Sequence, residues 1–322
     1  MNERNARTTQ ALIFADRDGA DLEPVAAGTL PALVPVGGKP VVQHCIEDLW
    51  EAGVRDALVV ITAGDTTVRR ELGNGERFGL ALRYLESSSQ QWPGELLAMA
   101  GQSVESPFIV ARGDVLRGRS AARLLEHARA TDANIVHAMD QSRSTGIAVL
   151  KQRCHGLNQL DWTALRRHDR MSNEPGIELG STGFSLLDDP AAMYEACLGA
   201  LEGHFAGLLI DGRGRPGSSL LVAPRASIAR SVHATGISRI GRGTELHDGV
   251  ELAGRVDVGD RCVIDDGAQL IDSVVLPGTY VGRGARLQNA VANGCWLYRR
   301  DLGTCQRVDD PLLLAGPAAA AA

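Results

Sequence analysis

The sequence predicts an α/β protein: a mostly parallel sheet with helices on both faces, followed by a short parallel β-helix. Two observations carry that expectation. Short apolar runs alternate with helix-period segments through the first part of the chain, the pattern of βαβ units. From Val222 to Leu276 an apolar residue then recurs every six positions without a gap. A six-residue period fits neither a helix nor a hairpin and is the hexapeptide repeat of a parallel β-helix.

The elements follow in order. ALIFA (Ala11–Ala15) reads as a buried strand that breaks at Asp16. Val42, Cys45, Ile46 and Leu49 share a helical face, with Pro40 suited to the first turn and Gly53 to the stop. Ala57–Thr62, Leu80–Leu85, Phe108–Ala111 and Ile135–Ala138 read as strands; Thr66–Leu72, Gly94–Gln102 and Arg119–Thr131 read as helices. Residues 146–189 are less regular. Ligands of such sheets bind at the C-terminal strand ends, which places the loops after Ala15 and Ala111 at the candidate site.

In the last third, Val222, Ile228, Ala234, Ile240, Leu246, Leu252, Val258, Ile264, Leu270 and Leu276 form the six-residue line. A second line two residues earlier is small or branched: Ser238, Thr244, Val250, Val256, Cys262, Ala268, Val274. Three hexads make a coil, so the stretch holds roughly three to four coils. After Leu276 the register slips by one, and Pro277-Gly278 is the expected corner that absorbs the slip. The organisation expected is 1–215, 216–300 and a C-terminal tail, 301–322, partly disordered.

Composition narrows the function. A formal charge of -6 over 322 residues argues against a nucleic-acid surface. No apolar run is long enough to span a bilayer, and MNERNARTTQ has no apolar signal core, so a cytoplasmic location is expected. The six cysteines (Cys45, Cys154, Cys197, Cys262, Cys295, Cys305) are scattered without a CxxC pair, which suggests neither zinc nor a disulfide framework.

The layout ALIFA, DRDGADLEP (Asp16–Pro24), LPALVPVGGKP (Leu30–Pro40), then a helix, resembles the sugar-1-phosphate nucleotidyltransferases (NDP-sugar pyrophosphorylases). DSVVLPGTYVGRGARLQNAV (Asp272–Val291) resembles the hexapeptide tails of their mannose-1-phosphate guanylyltransferase and glucose-1-phosphate adenylyltransferase types. The resemblance implies a Rossmann-like nucleotidyltransferase domain followed by a left-handed β-helix. The reaction it implies joins an NTP to a sugar-1-phosphate and expels pyrophosphate. The enzyme mainly positions and screens phosphates: backbone N–H groups and an Arg hold them, and carboxylates hold Mg²⁺.

Residue by residue, the resemblance assigns Lys39 and Asp114 (in RGDVL, Arg112–Leu116) as catalytic groups. Ala15, Arg17, Gly19 and Gly113 fall at nucleotide-binding positions, and Glu174, Thr182 and Gly183 at sugar-binding positions. Asp114 and Asp211 are the expected Mg²⁺ ligands, should the chain be active or bind nucleotide. Each has a plainer reading: Asp114 as a turn cap, Lys39 as a solvated loop lysine, Asp211 as a turn aspartate.

The phosphate loop departs from the family. Its glycine pair falls on Asp16 and Arg17, its Thr on Ala20, its catalytic Arg on Asp21, and the Lys of the next segment on Pro31. At about 5 Å and an effective dielectric of about 20, one charge pair is worth roughly 3 kcal/mol, so Arg-to-Asp is a swing of roughly 6 kcal/mol. The base loop is altered too, to QQWPGELLA (Gln90–Ala98).

Three readings follow. The first is a catalytically impaired nucleotidyltransferase-like protein, a regulatory or scaffolding subunit that binds a nucleotide or NDP-sugar. It would serve polysaccharide or glycoconjugate precursor synthesis as a homo-oligomer or a hetero-oligomer with an active paralogue. The second is an active sugar-1-phosphate nucleotidyltransferase with a rearranged loop. The third is a hexapeptide acyltransferase using His233 or His247.

Overall fold

The computed structural model describes residues 10–87, 107–141, 143–151, 176–178, 182–214 and 219–316. Seven strands form the first sheet: β1 (Gln10–Phe14), β2 (Asp56–Thr62), β3 (Ala81–Ser87), β4 (Phe108–Arg112), β5 (Ile135–Asp140), β6 (Arg143–Leu150) and β7 (Gly176–Glu178). Their order is β7-β5-β6-β4-β1-β2-β3. Every pairing is parallel except those of β6, which runs antiparallel to both β4 and β5. The sequence expectation of irregular structure from residue 146 therefore fails for 146–150: these residues continue a buried strand.

Alternation along the strands separates two cores. Ile13, Val59, Ile61 and Ile109 face one side, where they pack with residues of helices α1 (Val41–Glu51), α2 (Thr67–Leu72) and α3 (Ala121–Ala130). Leu12, Phe14, Val60, Phe108 and Val110 face the other, in a cluster built from strand residues. Helices were expected on both faces; among the described residues these three lie on one. The helix expected at Gly94–Gln102 and the loop Gln90–Ala98 lie outside the described residues.

Helix α4 (Pro190–Leu201) was not anticipated from the sequence. Its N-cap is Asp189, whose Oδ1 accepts from Ala192 N at 2.6 Å, with Pro190 in the first turn. It is apolar on most sides, because it is sandwiched: Met193, Cys197 and Leu198 share a core with Val36 and Val41 on one hand and Val274, Leu276 and Val291 on the other.

The last third is a stack of parallel strands: β8 (Leu220–Val222), β9 (His233–Ile240), β10 (Glu251–Val258), β11 (Gln269–Val275) and β12 (Arg286–Asn293). The ladder joins Leu220 to Ser238, His233 to Glu251 and Glu251 to Gln269, each 18 residues apart, three hexads. A second, smaller sheet repeats the same offset from Ser227–Ile228 to Glu245–Leu246 and on to Val263–Ile264. The six-residue line from Ile240 to Leu270 enters one core with Val250, Val256, Cys262 and Ala268. Ala234 is exposed and Val222 and Ile228 are half-buried, since they lie in the first layer of the stack.

The register slip does not occur at Pro277-Gly278. Ala253 pairs with Ile271, but Val256 pairs with Ser273, so two residues of β10 face Asp272 alone. Asp272 Oδ1 accepts from Arg255 N at 3.1 Å and closes that bulge. Val275 thereby takes the inward position opposite Val258, and Leu276 turns into the α4 core.

The tail also differs from expectation over part of its length. β13 (Trp296–Arg299) and β14 (Thr304–Arg307) extend the larger sheet antiparallel. Leu314–Ala315, expected to fray, pair with Tyr280–Val281. Residues 317–322 lie outside the described residues.

Candidate functional site

β1 and β4 are parallel neighbours, with Phe14 opposite Arg112, so their C-terminal loops leave the sheet side by side. Gly113 is required there: a Cβ would meet Ile13 Cγ2 at 2.9 Å and Val42 Cγ2 at 3.0 Å. Its N–H donates to Phe14 O at 2.7 Å, locking one loop to the other. Ala15 is fully buried and its N–H donates to Val60 O at 2.9 Å. Gly19 is fixed by space, since a Cβ would fall 2.2 Å from Thr29 O. The N–H groups of Ala15 and Gly113 thus serve the protein's own backbone.

Asp114 is 2% exposed, at the centre of a charged cluster. Arg112 Nε donates to its Oδ1 at 2.9 Å, and Arg112 Nη2 donates to Oδ2. Arg17 Nε lies 3.1 Å from Oδ2. Burial pushes the Asp114 carboxyl upward, but the Arg112 and Arg17 guanidinium groups outweigh it and hold the pKa below the ordinary carboxylate value. Burial in turn lowers the Arg17 pKa, against the pull of Asp114.

Arg17 reaches further. Its Nη2 donates to Leu186 O at 2.9 Å and Leu187 O at 2.8 Å. Those carbonyls follow the pair Phe184–Ser185, which runs antiparallel to Leu116–Arg117. Thr182 and Gly183, expected at the sugar, are part of this junction: Gly183 O accepts from Gly118 N at 3.0 Å and Thr182 O from Ala206 N at 2.9 Å. Glu174 lies outside the described residues.

Lys39 and Asp211 stand elsewhere. Lys39 Nζ pairs with Glu47 at 2.8 and 3.0 Å, in the second turn of α1. Asp211 N donates to Gly37 O at 2.7 Å, and its carboxylate lies 3.7 Å from Arg242. Both line one cleft of about 420 Å³ with Gly38, Arg77 and Arg242; Asp114 is not among its lining residues. The structure therefore gathers Arg17, Gly113, Asp114 and the 182–187 segment, and separately Lys39 with Asp211.

This arrangement does not fit a divalent cation held by Asp114 and Asp211 together. Each Asp114 oxygen already accepts from a guanidinium, and the two carboxylates answer to different partners.

Arg112 and Arg117 were not singled out from sequence. Arg117 is 3% exposed, donates to Arg112 O at 2.8 Å and Cys45 Sγ at 2.9 Å, and lies 3.9 Å from Asp48. Asp48 Oδ1 in turn accepts from Ser120 N and Ala121 N at 3.0 and 3.1 Å, capping α3 from a different helix. The available signal was the i, i+2 spacing of Arg112 and Asp114 at a strand end, which puts both side chains on one side.

In the stack, His247 Nδ1 lies 3.1 Å from Asp265 Oδ1 and its Nε2 3.6 Å from Glu245. Hydrogen bonding to Asp265 raises its pKa despite partial burial. His233 is exposed. Among the described residues no helix is long and apolar enough to cross a membrane.

Comparison with known proteins adds the following. Residues 10–150 match the nucleotidyl transferase family model. The chain is 26% identical over 291 residues to the glucose-1-phosphate thymidylyltransferase of Streptomyces griseus, spanning 87% of this chain and 80% of that protein. It is 40% identical over 107 residues to the glucose-1-phosphate thymidylyltransferase of Mycolicibacterium smegmatis, 33% of this chain and 37% of that one. It is 25% identical over 126 residues to the mannose-1-phosphate guanylyltransferase of Mycobacterium tuberculosis, 39% and 35% of the two chains. With these last two, the match spans little more than a third of the relative's length.

Proposed function

We propose, from the premise that this chain belongs to the sugar-1-phosphate nucleotidyltransferase family, that it is a catalytically impaired member. It acts in sugar-nucleotide metabolism as a regulatory or scaffolding subunit. The ligand is a nucleotide or NDP-sugar, and the partner is a second copy or an active paralogue. The last third, with its 18-residue ladders, is read as a short left-handed β-helix supporting such association.

One observation carries the reading. Asp114, the carboxylate expected to serve catalysis, is buried in a three-way cluster with Arg112 and Arg17. Arg17 stands where the family has a glycine, and a side chain there fills the space through which phosphates approach a backbone. Asp21, at the position of the family's arginine, adds the opposite charge to the one pyrophosphate requires.

An active enzyme with a rearranged loop remains the competing reading, and one feature favours it. Arg17 and Arg112 bring two cations to one carboxylate, a local excess of positive charge that a phosphate could use.

Isothermal titration with NTPs, NDP-sugars and sugar-1-phosphates in Mg²⁺, coupled to pyrophosphate-release assays, separates the two. Tight binding without turnover is the expected result. Pyrophosphate release that disappears in Asp114→Asn would overturn the impaired reading and identify the substrates.

A further inference from the structure

The smaller sheet of the strand stack brings a histidine and several carboxylates to one corner. Glu245–Leu246, Val263–Ile264 and Tyr280–Val281 follow one another in parallel register. The residues just after each pair therefore share a corner on successive coils: His247 and Asp248, then Asp265 and Asp266, then Gly282 and Arg283. Backbone bonds fix the corner, since His247 N donates to Ile264 O and Asp265 N to Val281 O, each at 2.9 Å. Paired strands lie about 4.8 Å apart, so side chains at one corner meet across coils.

His247, Asp265 and Asp266 each offer one ligand atom within 4.8 Å of the other two. His247 Nδ1 and Asp265 Oδ1 are 3.1 Å apart. Metal–ligand bonds of about 2.1 Å set neighbouring donors of an octahedron about 3.0 Å apart, so this pair already has the spacing of two ligands of one ion. Glu245 precedes His247 by two residues, and its carboxylate lies 3.6 Å from Nε2. The acids are held from outside as well. Tyr280 O–H donates to Asp265 Oδ2 at 2.9 Å, Asp266 N donates to Asp265 Oδ1 at 2.8 Å, and Arg283 pairs with Asp266 Oδ2. Outer partners of this kind orient the ligands of a metal site. The corner shares no residue with the Asp114 cluster or with the cleft of Lys39 and Asp211.

We propose that Glu245, His247, Asp265 and Asp266 form a binding site for a divalent transition-metal ion, Zn²⁺ foremost. A nitrogen donor beside carboxylates suits Zn²⁺, Co²⁺ or Ni²⁺, whereas Mg²⁺ and Ca²⁺ favour oxygen ligands. The ion takes the place of the proton between His247 Nδ1 and Asp265 Oδ1, and that proton leaves to solvent. Its ligands come from two adjacent coils, so it ties those coils together at the corner. The site is thus distinct in place and in metal from the Mg²⁺ expected for nucleotidyl transfer.

Isothermal titration of the full, untagged chain with Zn²⁺ and with Mg²⁺ tests this. Zn²⁺ is expected to bind at least tenfold more tightly than Mg²⁺ and to raise the urea midpoint. His247→Gln, which keeps a hydrogen-bonding side chain at the corner, and Asp265→Asn should each weaken Zn²⁺ at least tenfold and abolish that rise. His233→Ala, an exposed histidine of β9, should leave both unchanged. Zn²⁺ binding no tighter than Mg²⁺ overturns the proposal. Unchanged affinity in His247→Gln overturns it by placing the ion elsewhere. Unchanged affinity in Asp265→Asn overturns it by reducing the corner to a lone histidine contact.

Discussion

Arg17 Nε and Asp114 Oδ2 lie 3.1 Å apart, and the same arginine holds the Leu186 and Leu187 carbonyls at 2.9 and 2.8 Å. One side chain thus joins the loop after β1, the turn after β4 and the segment ahead of α4. A glycine at that position could make none of these contacts.

Arg17→Gly should therefore remove one of the two cations at Asp114 Oδ2, leaving Arg112 as the carboxylate's remaining guanidinium partner. A unit cation at about 5 Å and an effective dielectric of about 20 repels another by roughly 3 kcal/mol per charge. We expect Mn²⁺ affinity to rise at least tenfold over the wild-type chain, read by electron paramagnetic resonance of free Mn²⁺. Unchanged affinity would mean that Arg17 does not control access to Asp114.

Asp114→Ala should be strongly destabilising. Removing it leaves the Arg112 and Arg17 guanidinium groups facing each other across the emptied position. Breaking a buried ion pair by deleting one member costs about 3–5 kcal/mol. Urea unfolding should show a loss of that size, and Arg17→Gly in the same background should recover part of it. A loss below about 1 kcal/mol would indicate that water already screens the cluster.

What was legible in the sequence followed from periodicity. The six-residue line fixed the 18-residue ladder, and the apolar runs located β1, β2 and β4 to within a residue or two. Helix α4 escaped because PAAMYEACLGAL is apolar nearly all round; it is covered from two sides and shows no amphipathic stripe. The bulge at Asp272 escaped because Leu276 keeps the six-residue spacing while serving a different core. At the site, the position of Asp114 could be read from RGDVL, but its ion pairs could not. They depend on Arg17 crossing to carbonyls 169 and 170 residues away in the chain.

Gly38→Ala should cost more than an ordinary glycine replacement. Gly38 has φ +85°, and a Cβ would fall 2.6 Å from Arg239 Nη1 and 2.9 Å from Asp211 Cβ. Gly28 has φ +74° with open space around it, so Gly28→Ala reports the backbone strain alone, about 1 kcal/mol. We expect Gly38→Ala to exceed Gly28→Ala by about 1–3 kcal/mol in urea unfolding. Equal losses would mean that the turn can move away from Arg239.

His44 supplies a pH signature in the same region. It is 5% exposed on α1, and its Nε2 lies 3.0 Å from Val36 O. Because a carbonyl only accepts, the neutral ring carries its proton on Nε2, and Nδ1 is buried without a partner. Burial pushes the pKa down to about 4, against about 6.5 for an exposed histidine. The folded state thus disfavours the charged ring. The contribution of neutral His44 is complete above pH of about 6.5 and is lost as pH falls toward about 4, reaching roughly 3 kcal/mol. Carboxylates titrate in the lower part of that window, so the test is a difference: urea midpoints of the wild type and His44→Gln at pH 7.5, 6, 5 and 4.5. The wild type should lose stability faster than His44→Gln below pH of about 6.5. Parallel curves would show that the ring reaches solvent by moving α1 away from the Val36 turn.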